Sequence, residues 1–367
     1  MRLTFARWLA IGILPALLAP ADVSAQLPLG RLRAPPGFMI EVFAKVPGAR
    51  SLAVAERGAR VYVGTQGERV FAVLDPERDG RANDVVEVAH GLKVPNGVAL
   101  APDGALLVVE QHQITRFDPS GERKVVVPPG VLPDFRHHGW RYAAFGPDQR
   151  LYVTIGAPCN ICEVRGFEGT IIRLREDGHE VEVFARGVRN SLGLDWQPSS
   201  GDLFFTDNGG DQLGDLIPPD ELNRAPHRDM HFGYPYAYGQ GQPYPEFAGE
   251  TPPGPFTHPV VNFDAHVAAL GLHFYRGRMF PQEYRHAAFV AQHGSWNRSE
   301  PIGYRVVQVA FDTTGRPSAT QVFIDGWLGS EGRAWGRPVD LAELPDGSLL
   351  ISDDEAGVIY RVTYARP

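Results

Sequence analysis

Short apolar runs alternate with polar turns along most of the chain, and this pattern forms a sequence repeat. Each repeat unit has an apolar run, a tight turn and a second apolar run. The second runs centre on residues 62, 107, 152, 204, 289 and 350. Turn sequences such as Pro102-Asp103-Gly104 and Pro345-Asp346-Gly347 favour sharp reversals between the runs. The centres are 45, 45, 52, 85 and 61 residues apart. Units of about 45 residues with four strands are typical of propeller blades.

The pattern therefore predicts an all-β fold, a six-bladed β-propeller of four-stranded antiparallel blades. No segment keeps an apolar period of about 3.6 residues, which argues against a helical solenoid. We expect one domain over residues 26–367, closed by a strand at residues 38–43 that joins the last blade. The long fourth spacing predicts a lid-like insertion at about residues 210–265, rich in Pro, Gly and aromatic side chains.

The N-terminus has the order of a secretory signal peptide. Arg2 and Arg7 precede an apolar run at residues 8–18, and small residues follow up to Val23-Ser24-Ala25. The run is too short to cross a bilayer as a helix, and no other stretch is apolar enough. We predict a cleaved peptide at residues 1–25, a periplasmic or secreted protein, and no membrane span.

Composition supports many turns and excludes one class of partner. The 41 glycines and 32 prolines lie between strand-like runs, which suits short strands joined by turns. The net charge is −8 and basic residues do not cluster, so nucleic-acid binding is not expected.

The two cysteines, Cys159 and Cys162, form one close pair. In an exported protein a local disulfide is the simplest interpretation, and a redox-active Cys-x-x-Cys ring is the alternative. Haem attachment would need a histidine directly after the second cysteine, where Glu163 stands. A four-ligand zinc site is not expected without a second cysteine pair.

Polar residues stand where the first strand of several blades begins. In a propeller these strands line the central channel, so residues at equivalent positions converge at one end of it. The segments are Pro95-Asn96-Gly97, His138-Gly139-Trp140, Arg189-Asn190-Ser191 and Gly336-Arg337-Pro338. Two arginines and a histidine in one ring predict an anionic ligand, because arginine binds carboxylates through paired hydrogen bonds.

These and further motifs resemble the soluble glucose and sorbosone dehydrogenases that depend on pyrroloquinoline quinone (PQQ), most closely the sorbosone type. The resemblance runs over almost the whole mature chain. Its motifs are His138 ahead of the segment 145–156, Arg189-Asn190, Asp207-Asn208-Gly209-Gly210-Asp211, His293-Gly294-Ser295-Trp296-Asn297-Arg298 and Trp335-Gly336-Arg337-Pro338-Val339-Asp340.

The resemblance implies PQQ across the mouth of a six-bladed propeller, with Ca²⁺ beneath the quinone. His138 matches the catalytic base of the family. Arg189 matches a residue that contacts the cofactor and also takes part in catalysis. The implied cofactor-binding set is His138, Arg189, Asn190, Asn208, His293, Arg298 and Arg337. The backbone carbonyls of Gly209 and Gly210 match the calcium ligands, a role that needs no side chain.

Two positions depart from the family pattern. Val339 stands where a second carboxylate-binding arginine is expected, and no lysine occurs in the segment 293–298. His293 or Arg298 would then take the place of that lysine. Both departures bear on how PQQ would be held.

Several acidic and histidine residues have competing interpretations. His137 competes with His138 as the base, and His266 is placed to face the channel. Asp211 with Asp220 and Glu221 would hold a second Ca²⁺ or be solvated loop acids. Asp75, Asp79 and Asp84 resemble a calcium loop without its full spacing, and Asp353-Asp354-Glu355 is expected to be solvated.

The function predicted from the sequence is a PQQ- and calcium-dependent dehydrogenase for a sugar or a sugar-derived aldehyde or lactol. Hydride would pass to the quinone with His138 as general base, and the electron acceptor is not specified by the sequence. Two alternatives stand beside it: a calcium-dependent propeller lactonase, and a non-catalytic binding module that has lost the cofactor.

Overall fold

The computed structural model describes residues 27–55, 58–250 and 252–365. The predicted signal peptide lies outside these residues. Within them, no helix is long and apolar enough to cross a membrane.

The described chain forms six four-stranded antiparallel blades, which confirms the predicted fold class. The blades, numbered in chain order with strands from inside to outside, are blade 1 (Ala49–Ala55, Arg60–Thr65, Val70–Leu74, Asp84–Ala89), blade 2 (Gly97–Leu100, Leu106–Val109, Ile114–Phe117, Arg123–Val127), blade 3 (Ala143–Phe145, Leu151–Ile155, Thr170–Leu174, Glu182–Arg186), blade 4 (Leu194–Trp196, Leu203–Asp207, Pro219–Ala225, Val261–Ala265), blade 5 (Ala269–Phe274, Ala288–Gln292, Arg305–Phe311, Pro317–Ile324) and blade 6 (Pro338–Glu343, Leu349–Asp353, Val358–Tyr364, Phe38–Lys45). Short 3₁₀ helices occur at Leu29–Arg31, Pro245–Phe247 and Gln282–Tyr284.

The first strands of consecutive blades contact one another around a closed ring. The second strands are buried on both faces because each blade packs between two neighbours; Leu151–Ile155 and Leu203–Asp207 are buried along their whole length. Full burial explains why these strands read as continuous apolar runs in the sequence. The ring therefore points the start of every first strand toward one end of the channel.

The ring closes through the N-terminal strand, as predicted. Phe38–Lys45 pairs antiparallel with Val358–Tyr364 and becomes the outer strand of blade 6. Phe38 lies 4.8 Å from Phe280 and 4.9 Å from Phe323, measured between ring centroids, so the closing strand is packed onto blade 5 by aromatic contacts.

The range predicted as an insertion contains two strands of blade 4, Pro219–Ala225 and Val261–Ala265. What lies outside the blade is the preceding loop and, of the residues described, 226–250 and 252–260. That longer segment adds Met230–His231 as a parallel fifth strand to blade 3 and forms a two-stranded hairpin, Ala237–Tyr238 with Gln242–Pro243.

Candidate functional site

The starts of the first strands surround a cavity of about 680 Å³ at one end of the channel. Among the described residues, blades 1, 3, 4, 5 and 6 and the loops that precede them form its wall, whereas neither blade 2 nor the predicted segment Pro95-Asn96-Gly97 lines it. Its lining residues include Arg50, Arg136, His137, His138, Trp140, Arg189, Asn190, Leu192, Asn208, Gly209, Asp211, Asp220, His266, Leu270, His293, Arg337 and Asp354. From the range predicted as a lid, Asp211 and Asp220 line the cavity, whereas Met230–His231 pairs with blade 3.

His138 is half-buried in this wall, with a backbone φ of 49°. Its Nδ1 lies 2.9 Å from the carbonyl oxygen of Ala157. A carbonyl only accepts hydrogen bonds, so Nδ1 carries the hydrogen and Nε2 keeps its lone pair. Burial, then the positive charges of Arg189 and His137, lower the pKa of His138 to about 2. The imidazole is therefore neutral at physiological pH.

Gly156 lets His138 reach this position. A Cβ on Gly156 would lie 2.5 Å from the Cβ of His138 and 3.2 Å from Oδ1 of Asn190. Only glycine leaves room for the two segments to approach this closely.

Arg189 is buried and its guanidinium is almost fully hydrogen-bonded by the protein. Nε donates to the carbonyl of Asn160 at 2.8 Å, and Nη2 donates to the side chains of Asn160 at 2.7 Å and Asp211 at 2.8 Å. Nη1 donates to the carbonyl of Asn208 at 3.0 Å. Arg189 is thus a fixed positive charge in the wall rather than a mobile one.

Asp207 holds the backbone beneath Arg189 and Asn190. Its two carboxylate oxygens accept the backbone N–H of Arg189 at 2.8 Å and of Asn190 at 2.6 Å. Burial raises the pKa of Asp207 to about 7. Oδ1 of Asn190 is buried and has no hydrogen-bond partner among the described residues, while Asn208 donates to the carbonyl of Asn190 at 3.0 Å.

His293 and Arg337 form the opposite side of the cavity. The imidazole Nε2 of His293 lies 2.8 Å from Oδ1 of Asp354, and Nε of Arg337 donates to the carbonyl of His293 at 3.1 Å. Burial lowers the pKa of His293, although the bond to Asp354 opposes it. The guanidinium of Arg337 also lies 5.4 Å from the ring centre of Tyr304.

Arg50 and Asp354 belong to the site and were missed from the sequence. Arg50 donates to Asp354 at 2.5 Å and to Asn96 at 2.5 Å, and it lies 5.0 Å from the ring centre of Trp140. Arg50 stands just before the first apolar run of blade 1, so the repeat phase could have revealed it. The predicted solvation of Asp353 and Asp354 was wrong: both are buried, and His293 with Arg50 hold the pKa of Asp354 below its usual range against the opposing effect of burial.

The acids predicted as a second calcium site do not come together around one point. Asp211 pairs with Arg189, whereas Asp220 accepts the backbone N–H of Gly209 at 2.9 Å and of Ala269 at 3.1 Å. Glu221 accepts the backbone N–H of Gly239 at 2.7 Å. Neither Asp220 nor Glu221 is a solvated loop acid, because both are buried. The described residues contain no cluster of three or more His, Cys, Asp or Glu that could hold a metal.

Asp75 does not form the calcium loop considered for it. Its carboxylate instead accepts the backbone N–H of Gly80 at 2.8 Å and of Asp79 at 3.2 Å, which closes the loop that follows it.

The two predicted calcium ligands are placed differently. Gly209 lines the cavity, whereas Gly210 is buried behind it and donates its N–H to the hydroxyl of Tyr244 at 3.1 Å. His266 lines the cavity, as expected for a residue at the start of blade 5.

Arg298 and Val339 lie outside the cavity wall. Arg298 donates to the backbone carbonyls of Ala265 at 3.1 Å and Glu300 at 3.3 Å, which turns it away from the site predicted for it. Val339 is buried against Leu192 and Leu270, and these two leucines give the cavity an apolar floor.

Comparison with known proteins identifies relatives of the whole chain and of its C-terminal third. An uncharacterised protein of Borreliella burgdorferi is 40% identical over 371 aligned residues, which cover 95% of each chain. The chain belongs to the family of that protein. A family model described as TrAA12-like matches residues 242–365.

Solved structures share the fold at low identity. The PQQ domain of pyranose dehydrogenase from Coprinopsis cinerea overlays with a TM-score of 0.75 at 19% identity, covering 90% of this chain and 97% of that one. A calcium structure of the carbohydrate-active enzyme family AA12 from Trichoderma reesei overlays with a TM-score of 0.74 at 19% identity, covering 91% and 97%. At this identity the likeness supports the fold.

Proposed function

We propose that the protein is a sugar oxidoreductase, and specifically a PQQ-dependent dehydrogenase for a sugar or a sugar-derived aldehyde or lactol of the sorbosone type. The observation that carries this is a neutral His138 with a free Nε2, facing a cavity walled by several cations. The fold relatives support it, because one is a PQQ domain of a pyranose dehydrogenase.

The cavity fits an anionic ring cofactor together with a small substrate. Its volume of about 680 Å³ lies within the usual range for ligand pockets. Arg337 and Arg50 lie in its wall, and Arg136 reaches it with no ion-pair partner among the described residues. Arg136 would supply the positive charge that Val339 does not, because the charge of Arg50 is already balanced by Asp354. The unpartnered Oδ1 of Asn190 would meet a polar group of the bound ligand.

The proposed chemical step uses Nε2 of His138 as the proton acceptor. Nε2 takes the hydroxyl proton of the substrate as the adjacent C–H bond gives up its hydride. A bound PQQ would supply the two-electron acceptor for that hydride. Arg189, fixed by Asn160 and Asp211, would stabilise negative charge that develops nearby, and it repels a proton from His138 before the step.

We propose Ca²⁺ as the accompanying ion, held from the side of the cavity where Gly209 lies. Its ligands there would be the backbone carbonyl of Gly209 and the side-chain oxygen of Asn208, because Asp211 and Asp220 already bind Arg189 and backbone N–H groups. Export to the periplasm or outside the cell is part of the proposal and rests on the N-terminal sequence.

The test is to add PQQ and CaCl₂ to the protein and record the quinone spectrum while aldoses, sorbosone-like aldehydes and lactones are screened with an artificial electron acceptor. We expect a saturable spectral change and dye reduction with at least one sugar or aldehyde. Arg337→Ala should weaken PQQ binding by about tenfold or more, the size of one lost charge-assisted contact. Arg298→Ala is the matched control, because that guanidinium lies outside the cavity wall, and it should bind PQQ normally.

The same screen separates the two alternatives. Lactone hydrolysis without any spectral change would replace the redox proposal with the lactonase. Binding of a sugar without PQQ binding or turnover would support a non-catalytic module.

A further inference from the structure

Cys159, Asn160, Ile161 and Cys162 form a four-residue ring beside the cavity, closed by a disulfide with the Cα atoms 6.2 Å apart. These are the two cysteines of the whole sequence. The proposed chemistry does not use the sulfur atoms. The ring nevertheless reaches the cavity through the single residue Asn160, which contacts Arg189.

Asn160 provides two of the four acceptors that hold the Arg189 side chain. Its carbonyl accepts from Nε at 2.8 Å and its side-chain Oδ1 accepts from Nη2 at 2.7 Å. The backbone and the side chain of Asn160 therefore both accept hydrogen bonds from the Arg189 guanidinium. Both must be correctly placed at once, which requires a defined backbone conformation at Asn160.

Three further contacts fix Asn160 in that conformation. Its Oδ1 also accepts the backbone N–H of Asp211 at 2.8 Å, and its Nδ2 donates to the Asp211 carbonyl at 3.0 Å. The hydroxyl of Tyr234, from the inserted segment, donates to the Asn160 carbonyl at 3.3 Å and accepts from the N–H of Cys162 at 3.1 Å. The disulfide joins the two ends of this short loop, so it restricts the conformations that Asn160 can visit.

We propose that Asn160 is a positioning residue for Arg189, and that the Cys159–Cys162 disulfide keeps it in place. When a dithiol reduces the bridge, the two sulfurs take up two electrons and two protons, and the dithiol becomes a disulfide. The loop then opens, Asn160 loses its defined conformation and Arg189 is no longer fixed in the cavity wall. The effect on the cofactor rests on the proposed function, whereas the coupling between the loop and Arg189 does not.

A double-mutant cycle tests the coupling without any cofactor. Cys159→Ala with Cys162→Ala, Arg189→Lys, and all three changes together are compared by their unfolding midpoints in denaturant. If the loop acts through Arg189, the combined variant loses clearly less stability than the sum of the two separate losses. Asn160→Ala should couple to Arg189→Lys in the same way, and Glu163→Ala, an exposed side chain of the same loop, should not. Additive losses would overturn the proposal whether or not PQQ binds.

PQQ titration gives the second measurement. Asn160→Ala and the cysteine double variant should each weaken PQQ binding by about tenfold, and Arg189→Lys should add little to either. Dithiothreitol should reproduce the loss in the unchanged protein and have no effect on the cysteine double variant, because no other cysteine exists. Unchanged affinity in both variants would overturn the inference. Coupled unfolding without any PQQ binding would instead leave the inference standing and reject the proposed function.

Discussion

At the scale of single residues, the site depends on how His138 is held rather than on its identity alone. Its φ of 49° lies in the left-handed region, which costs a non-glycine residue about 1 kcal/mol and is common where function requires it. That backbone turn aims Nδ1 at Ala157 and leaves Nε2 for the substrate. Neighbouring positive charge and burial then keep the ring unprotonated.

Replacing His138 by Ala should remove the proton acceptor and leave the binding cations in place. We expect turnover to fall by about 10² to 10⁴ with PQQ affinity nearly unchanged. Steady-state rates and a PQQ titration on the same protein check this. His137→Ala, the competing imidazole in the same wall, serves as the comparison: if it caused the larger loss of turnover, the base would be His137.

Gly156→Ala should displace His138, because the added Cβ would lie 2.5 Å from the Cβ of that residue. A misplacement of about 1 Å typically costs about a hundredfold in rate, so a loss of that order is expected with the fold retained. Gly254→Ala is the matched control, since a Cβ there meets nothing within 4 Å. Rates close to those of the unchanged protein would show that His138 does not need this approach.

At the scale of elements, the strand that closes the ring, Phe38–Lys45, packs against its neighbours through the side chains on one of its faces. Phe38 contacts the rings of Phe280, Tyr284, Phe323 and Tyr364, while its neighbour Met39 is 56% exposed. Successive side chains of a strand point to opposite sides. Both residues belong to the same paired strand, but only the Phe38 side chain packs against other rings, so replacing each in turn distinguishes side-chain packing from strand pairing.

Phe38→Ala should lower the free energy of unfolding by about 2–3 kcal/mol, because it removes a half-buried ring and its edge-to-face contacts. Met39→Ala should change it by no more than about 0.5 kcal/mol. Chemical denaturation of both variants measures the difference. Equal losses would mean that hydrogen bonding of the strand, not Phe38, keeps the ring closed.

At the scale of the whole molecule, Asp340 connects blades across the channel. Its carboxylate accepts the backbone N–H of Leu52 in blade 1 at 2.9 Å and the hydroxyl of Tyr142, just before blade 3, at 3.3 Å. Burial raises the pKa of Asp340 to about 7. The carboxyl is therefore easier to protonate in the folded state than in the unfolded chain, where its pKa is about 3.9.

This difference makes stability depend on pH. Between about pH 4 and 7 the folded state binds a proton that the unfolded chain does not, so this contribution is complete below pH 4 and is lost as pH rises through 7. In the unchanged protein this group should lower the free energy of unfolding by about a few kcal/mol between pH 5 and 8. In Asp340→Asn this decrease should be absent, so the free energy of unfolding should depend less on pH. Denaturation with EDTA present measures it, and Asp229→Asn, with a side chain 70% exposed, is the control. A profile as steep as that of the unchanged protein would contradict the role of Asp340.

The sequence by itself determined the six blades, the closing strand and the positions that meet at the channel mouth. It did so because apolar strands and turn residues recur once per blade. Residues at equivalent positions of the repeat, such as His138, Arg189 and Arg337, must therefore meet at one end of the channel. It also placed the cysteines close enough to be joined. These are local or periodic properties, and a repeat carries them without knowledge of the other blades.

Only the tertiary structure decided which partner each polar group takes. The pairing of Asp354 with Arg50 and of Arg189 with Asn160 joins residues from different blades or loops, which no spacing encodes. The inserted segment likewise has no counterpart in the repeat, so the pairing of Met230–His231 with blade 3 could not be predicted from composition. Burial and charge compensation depend on all six blades at once, and the chemistry of the site depends on both.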